Sequence, residues 1–127
     1  MDTLDDIAAD GLDASDYHYD KLRYLQNVLW EKEGEDDILQ AEYDLLLTDS
    51  LIRLGYHLLV GKVDPVMLDS QWNMQSTIGS LEMVLNLASA IDINDIDRLI
   101  DRLRPRSATY SNLRSALRRY RAIASAG

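Results

Sequence analysis

The sequence contains no cysteine and no phenylalanine, and only two of its 127 residues are proline. Without cysteine, the chain cannot form a disulfide, a thiolate metal site or a cysteine nucleophile. No run of about eighteen apolar residues is present, so the sequence predicts no membrane insertion. A glycine-rich phosphate loop and a Gly-x-Ser-x-Gly nucleophile motif are also absent. These absences exclude most of the catalytic classes that short motifs identify.

The length of 127 residues predicts one domain, covering residues 1–127. The net charge of −9 disfavours nucleic acid and anionic membrane surfaces as partners, because both would repel the chain. The charge is uneven. Residues 1–50 carry 15 acidic and 3 basic side chains, a net of −12, whereas residues 51–127 carry 7 acidic and 10 basic ones, a net of +3. Either the two halves attract each other, or the basic half presents an arginine face to an acidic partner.

Apolar residues recur at helical spacing through almost all of the chain, and strand-like alternation of useful length is absent. We therefore expect an all-α, compact single domain of five to seven helices. The central helix is predicted over about residues 36–60, where apolar side chains surround most of the axis. A helix of this kind is usually wrapped by other helices, so this one is expected to be buried.

Glycine, proline and capping residues predict where the helices begin and end. The predicted starts are Asp2 or Thr3, Asp13, about residue 36, Ser76 or Thr77, Asn94 and residues 107–109, and the predicted stops are Gly11, Gly34, Gly61 and Pro105. On the last helix, one stripe is expected to face the core, namely Leu113, Ala116, Leu117, Tyr120 and Ala124.

The two histidines are interpreted as structural. Asp49, Arg53 and His57 follow one another at four-residue steps, which favours a polar stripe along the central helix. His18 is expected to hydrogen-bond to local backbone, because two histidines alone do not supply the three protein ligands of a catalytic zinc site. Residues 92–103 superficially resemble a calcium loop, but they lack the glycine and the bidentate glutamate that such a loop needs. The sequence therefore predicts no metal, no cofactor and no catalytic residue.

Arginine is concentrated near the C-terminus, where eight arginines and a single acidic residue, Asp101, lie between residues 98 and 127. Arginine is favoured at protein interfaces because its planar guanidinium pairs with carboxylates through two hydrogen bonds. The candidate interaction surface therefore consists of Arg114, Arg118 and Arg121, which flank the apolar stripe of the last helix, together with Trp72. The alternative is that these arginines pair with the acidic N-terminal half and that Trp72 packs under its own loop.

Three segments resemble one known helical module. Residues 11–18 (GLDASDYH) resemble the Gly-Leu-Asp-Pro-x-Asp-Tyr-His start of the scaffold domain of large multidomain L,D-transpeptidases, with Ala14 where proline is typical. Residues 46–65 (LLTDSLIRLGYHLLVGKVDP) resemble its Leu-Leu-Thr-Asp-Ala-Leu helix and the Gly-Arg-Val-Asp-Pro that follows, with Lys62 in place of arginine. Trp72 follows at a similar distance, and residues 110–121 (YSNLRSALRRYR) resemble the last helix of that domain. The resemblance covers nearly the whole chain.

This resemblance implies the non-catalytic scaffold domain of a periplasmic cell-wall enzyme. In that family, a cysteine in a Ser-His-Gly-Cys motif on a separate catalytic domain makes 3–3 cross-links between peptidoglycan stem peptides. No position of this chain matches the motif, so no catalytic residue carries over. The implied partners are the catalytic domain of the same parent chain and also peptidoglycan or cell-wall proteins. The N-terminus lacks the basic and apolar regions of a secretory signal, so the periplasmic location follows from the resemblance alone.

Two other functions stay open on the sequence. The first is a stand-alone acidic helical adaptor that binds a protein partner. The second is an enzyme that cleaves glycans with a pair of carboxylates. With 22 acidic residues in the chain, pairs of neighbouring carboxylates arise by chance, so the second alternative has little support.

Overall fold

The structure is a computed structural model that describes residues 4, 6–63, 67, 89 and 95–127. These residues form two 3-10 helices, η1 (Ile7–Asp10) and η2 (Ala14–Tyr17), and four α-helices, α1 (Tyr19–Glu31), α2 (Asp37–Val60), α3 (Ile96–Leu103) and α4 (Ala108–Ser125). The all-α class is confirmed, although four α-helices in the described ranges are slightly fewer than the five to seven predicted. Several predicted features lie outside the described residues: the caps Asp2 and Thr3, the helix start at Ser76 or Thr77, Asn94 and Trp72.

Most of the predicted helix ends are confirmed. Gly11, Gly34 and Gly61 have left-handed backbone conformations, with φ values of 81°, 78° and 100°, and each lies just beyond a helix. Glycine adopts this conformation without the steric penalty that a Cβ atom imposes. The start of α4 is capped by Ser107, whose Oγ accepts a hydrogen bond of 3.2 Å from the backbone N–H of Tyr110.

The segment after Gly11 departs from the prediction, because it forms two helices and not one. Asp13 caps η2 by accepting a hydrogen bond of 3.0 Å from the backbone N–H of Ser15. His18 then has a left-handed backbone conformation with φ of 55°, so α1 begins only at Tyr19. The spacing of apolar residues does not reveal such a break, because the break depends on the backbone angle of the single residue His18.

The described helices fall into two units. The first unit contains Met1–Ser50 with Arg106–Gly127, and its described residues that are buried include Leu4, Ile7, Leu12, Tyr17, Leu22, Leu25 and Ser50. The second unit contains Leu51–Pro105, and among its described residues the buried hydrophobic ones are Leu51, Leu54, Leu58, Leu99 and Ile100. In the second unit, Leu51 and Leu99 form a cluster against which Leu59, Ile96 and Leu103 pack. Each unit therefore has buried apolar residues from more than one helix.

The helix α2 covers the range predicted for the central helix, but it is buried along a strip and not on all sides. It contributes Ser50, Leu51, Leu54 and Leu58 to the buried residues. Its remaining large apolar side chains include four that are exposed, namely Ile38, Leu45, Ile52 and Tyr56. A helix that is apolar on almost every side has no periodic pattern that marks the buried face, so the sequence overestimated its burial.

We expect the substitution Gly11→Ala to lower the free energy of unfolding by about 1–2 kcal/mol, the cost of placing a Cβ atom in a left-handed conformation. The new Cβ would lie 3.7 Å from Leu117 Cδ2, which is an ordinary contact distance, so strain of the backbone is the dominant cost. Gly34→Ala is the matched control, because Gly34 has a similar φ and open space around it. Urea denaturation should show equal losses for the two variants, and a far larger loss for Gly11→Ala would contradict this explanation.

Candidate interaction surface

The helix α4 is held against η1 of the same unit by polar side chains. The Tyr110 hydroxyl donates a hydrogen bond of 2.7 Å to Asp10 Oδ1, and Arg121 Nη1 donates to the backbone carbonyl of Ala8. Arg114 lies between these positions, with Nη2 3.4 Å from Asp6 Oδ2. Because Tyr110, Arg114 and Arg121 follow at intervals of four and seven residues, they share one side of the helix. We call this side the inner face of α4.

The pair between Arg114 and Asp10 is the most buried ionic contact of the inner face. Arg114 Nε lies 2.6 Å from Asp10 Oδ1, the side chain of Asp10 has no exposed surface, and that of Arg114 is 28% exposed. The Nε atom makes no aligned hydrogen bond, so the contact is ionic in character. A carboxylate removed from water in this way is stabilised by the guanidinium and by the Tyr110 hydroxyl. Attraction between the acidic and basic halves, one of the two readings of the charge pattern, therefore operates within this unit.

Only part of the expected apolar stripe of α4 is covered, since Ala116 and Leu117 are half-buried whereas Leu113, Tyr120 and Ala124 are exposed. Leu113 and Tyr120 are 65% and 68% exposed, and α4 contains no buried residue. Ile123 is also exposed. The helix packs through the half-buried Leu117, which lies beside Gly11, and through Tyr110, Arg114 and Arg121, for which η1 and Asp6 before it offer carboxylates and a carbonyl oxygen. Leu113, Tyr120 and Ile123 follow at intervals of seven and three residues, and we call them the outer stripe of α4.

The structure therefore separates the residues that the sequence grouped as one interaction surface. Arg114 and Arg121 make contacts with η1 within the first unit, and Arg118 is exposed. Trp72 lies outside the described residues. The outer stripe was missed as a surface because exposed and buried apolar stripes look identical in a sequence. The signal that could have revealed it is the excess of acids in residues 1–10, which identifies the arginine side of α4 as the side that packs.

Residues from the first two resemblance segments lie in contact with each other. His18 Nε2 lies 2.8 Å from Asp49 Oδ2, with side-chain exposures of 36% and 48%. The expectation that His18 bonds to local backbone is thus wrong, since its ring reaches a side chain of α2. The buried Ser50 hydroxyl donates to the carbonyl of Tyr17 at 2.7 Å. These contacts join the start of α1 to α2 and give His18, Asp49 and Ser50 structural roles.

Within the described ranges, no group of three or more histidine, cysteine or acidic side chains could hold a metal ion. Among the same residues, no helix is long and apolar enough to cross a membrane. The polar contacts of the inner face and those around His18 are ion pairs and hydrogen bonds that join helices of the first unit.

A family model described as "Scaffold domain" matches residues 1–117 of the chain. The matched range includes all of η1 to α3 and the first part of α4. A search of curated proteins and a search of solved structures give no match.

Proposed function

The chain belongs to the Scaffold domain family, and from this membership we propose that it is the non-catalytic scaffold domain of a cell-wall L,D-transpeptidase. In this role it supports or positions a catalytic domain of the same parent protein, which cross-links peptidoglycan stem peptides. The proposal also assigns the chain to the periplasm, where that polymer lies. The chain has no cysteine, so a thiolate that attacks an amide carbonyl must come from the other domain.

The single observation that carries the proposal is the family match over residues 1–117. The motifs at residues 11–18 and 46–65 support the finer assignment to L,D-transpeptidases, because they resemble scaffold segments of those enzymes and contact each other through His18 and Asp49. Their contacts hold α1 against α2, which is a structural role of the kind expected of a scaffold domain.

We further propose that the outer stripe of α4 is the surface that packs against the catalytic domain. Leu113, Tyr120 and Ile123 expose apolar side chains along one side of a helix whose inner face is already occupied. Tyrosine is enriched at the centre of protein interfaces, and a large apolar side chain gains free energy when a partner covers it.

The proposal predicts that the double variant Leu113→Asp/Tyr120→Asp loses binding to the catalytic portion of the parent enzyme. Removal of two interface side chains and the burial of two carboxylates should raise Kd by at least about tenfold. The measurement is isothermal titration calorimetry, in which the chain is titrated with the catalytic portion of the parent enzyme. A second readout is the fraction of 3–3 cross-links in digested cell wall when the two parts are expressed as separate polypeptides.

The matched control is Ile38→Asp/Leu45→Asp, which adds the same charge at exposed apolar positions of α2. This control should bind normally, and circular dichroism should show that both double variants keep their helices. Equal binding by all three proteins would remove the outer stripe from the interface. Failure of the unmodified chain to bind any catalytic portion would contradict the scaffold role and favour the stand-alone adaptor.

A further inference from the structure

A groove lies in the first unit where the end of α1 meets α2. It has a volume of about 610 Å³ and is lined by Gln26, Leu29, Trp30, Glu33, Gly34 and Tyr43. Leu29 and Tyr43 are half-buried, whereas the side chain of Trp30 is 87% exposed. Tryptophan is highly buried on average in folded proteins and enriched at interfaces, so an indole ring this exposed is a candidate contact for a partner. The lining of this groove shares no residue with the inner face or the outer stripe of α4 or with the His18–Asp49 pair.

The turn that forms one edge of the groove has an unusual backbone. Glu33 has φ of 53° and Gly34 has φ of 78°, so two successive residues adopt the left-handed conformation. For a glutamate this conformation costs about 1–2 kcal/mol, and residues held in such conformations occur preferentially at functional sites. The turn is held by a hydrogen bond of 2.9 Å from Gly34 N to Leu29 O and by the pair of Lys32 with Asp36 at 2.8 Å.

The groove lies in the most acidic segment of the chain. Residues 31–37 contain five acidic side chains and one basic one, Lys32. Lys32 already donates a hydrogen bond to Asp36, and this bond, together with the backbone N–H of Leu39, lowers the pKa of the Asp36 carboxyl. Burial raises the pKa of the Tyr43 phenol, and the neighbouring Asp44 raises it further. The surroundings of the groove are therefore strongly negative at neutral pH.

Aromatic faces and carboxylates together recognise organic cations. The face of an indole or phenol ring attracts a cation, and Glu33 supplies a carboxylate with which a guanidinium can pair. The same chemistry occurs elsewhere on α1, where the Arg23 guanidinium lies 5.4 Å from the centre of the Tyr19 ring. Arginine fits better than lysine, because its planar group both stacks on a ring and forms two parallel hydrogen bonds with a carboxylate.

We propose that this groove, lined by Trp30, Tyr43 and Glu33, is a docking site for an arginine side chain on a partner polypeptide. The guanidinium stacks on the exposed Trp30 ring and pairs with the Glu33 carboxylate, while Leu29 and Tyr43 contact the methylene groups of the arginine. Charge complementarity selects this occupant, since an anionic ligand would be repelled by the acids of residues 31–37.

The test is a titration of the ¹⁵N-labelled chain with a capped Gly-Arg-Arg-Gly peptide, followed by NMR. A capped Gly-Gln-Gln-Gly peptide is the neutral comparison. We expect the arginine peptide to shift the Trp30 indole N–H and the Gly34 amide. Trp30→Ala and Glu33→Gln should each raise Kd by about fivefold, consistent with the strength of a cation–π contact and of an exposed charge-assisted pair.

Two control variants separate a specific site from general attraction. Glu31→Gln removes an equal charge next to the groove but not from its lining, and Tyr24→Ala removes an exposed aromatic ring of α1 that does not line the groove. Both should change Kd by less than about twofold. Equal effects of Glu31→Gln and Glu33→Gln, or no effect of Trp30→Ala, would overturn the proposal, as would equal binding of the glutamine peptide. If dilution of the chain alone shifted the same signals, the occupant would be a second copy, and the proposed partner would be wrong.

Discussion

The substitution Asp10→Ala is expected to lower the free energy of unfolding by about 3–5 kcal/mol, which is the usual cost of removing one partner of a buried ion pair. The Asp10 side chain has no exposed surface, lies 2.6 Å from Arg114 Nε and accepts a hydrogen bond from the Tyr110 hydroxyl. Its removal leaves a guanidinium that is only 28% exposed without its nearest carboxylate. Urea denaturation followed by circular dichroism measures the loss.

Asp6 offers the matched control, because it is a second carboxylate facing the same guanidinium but is 62% exposed and lies 3.4 Å away. Asp6→Ala should cost less than about 1 kcal/mol, as exposed pairs generally do. Replacement of both buried partners, in the variant Asp10→Leu/Arg114→Met, should recover part of the stability, since an apolar pair avoids the desolvation of two charges. Equal losses of stability for Asp6→Ala and Asp10→Ala would show that the contact between Asp10 and Arg114 does not behave as a buried ion pair.

The helix boundaries could be predicted from the sequence because they depend on local chemistry. Gly34 and Gly61 end helices by adopting a conformation that few other residues tolerate, and Ser107 begins one by bonding to a free backbone N–H. Such signals act over three or four residues and are visible in the sequence. The break at His18 is the exception, since histidine only sometimes adopts the left-handed conformation and its presence alone does not predict it.

The orientation of α4 could not be predicted in the same way. Hydrophobicity assigned Leu113 and Tyr120 to the core, whereas the structure packs Arg114 and Arg121 against η1. Which side of an amphipathic helix is covered depends on what the neighbouring element offers, and η1 offers carboxylates. The charge difference between the two halves of the sequence predicted an attraction between an acidic region and a basic region. It did not specify residue pairs such as Arg114 with Asp10.

The contact between His18 and Asp49 also depends on tertiary structure, because 31 residues separate the two positions. The resemblance identified both segments as parts of one module without stating that they touch. Their contact joins the start of α1 to α2. The groove at Trp30 had no signal in the sequence, where Trp30 is one apolar residue among several at the end of a helix.

The substitution Leu54→Ala is expected to lower the free energy of unfolding by about 2–5 kcal/mol, the range measured for buried leucines. Leu54 has no exposed surface, and it belongs to the part of α2 that contributes to the second unit. Truncation removes transfer free energy and leaves a cavity that the surrounding side chains fill only in part. The change should appear as a lower midpoint in urea denaturation, with the m-value unchanged.

Leu45→Ala is the matched control, because it makes the same chemical change in the same helix at a side chain that is 73% exposed. Alanine has a slightly higher helix propensity than leucine, so this variant should change stability by less than about 0.5 kcal/mol. The comparison separates the effect of burial on stability from the effect of replacing leucine with alanine in a helix. Similar losses at both positions would mean that α2 is covered on all sides, as the apolar sequence suggests, and would contradict a helix buried along one strip. A large loss at Leu54 alone means that burial depends on the neighbouring helices, which the apolar sequence of α2 does not specify.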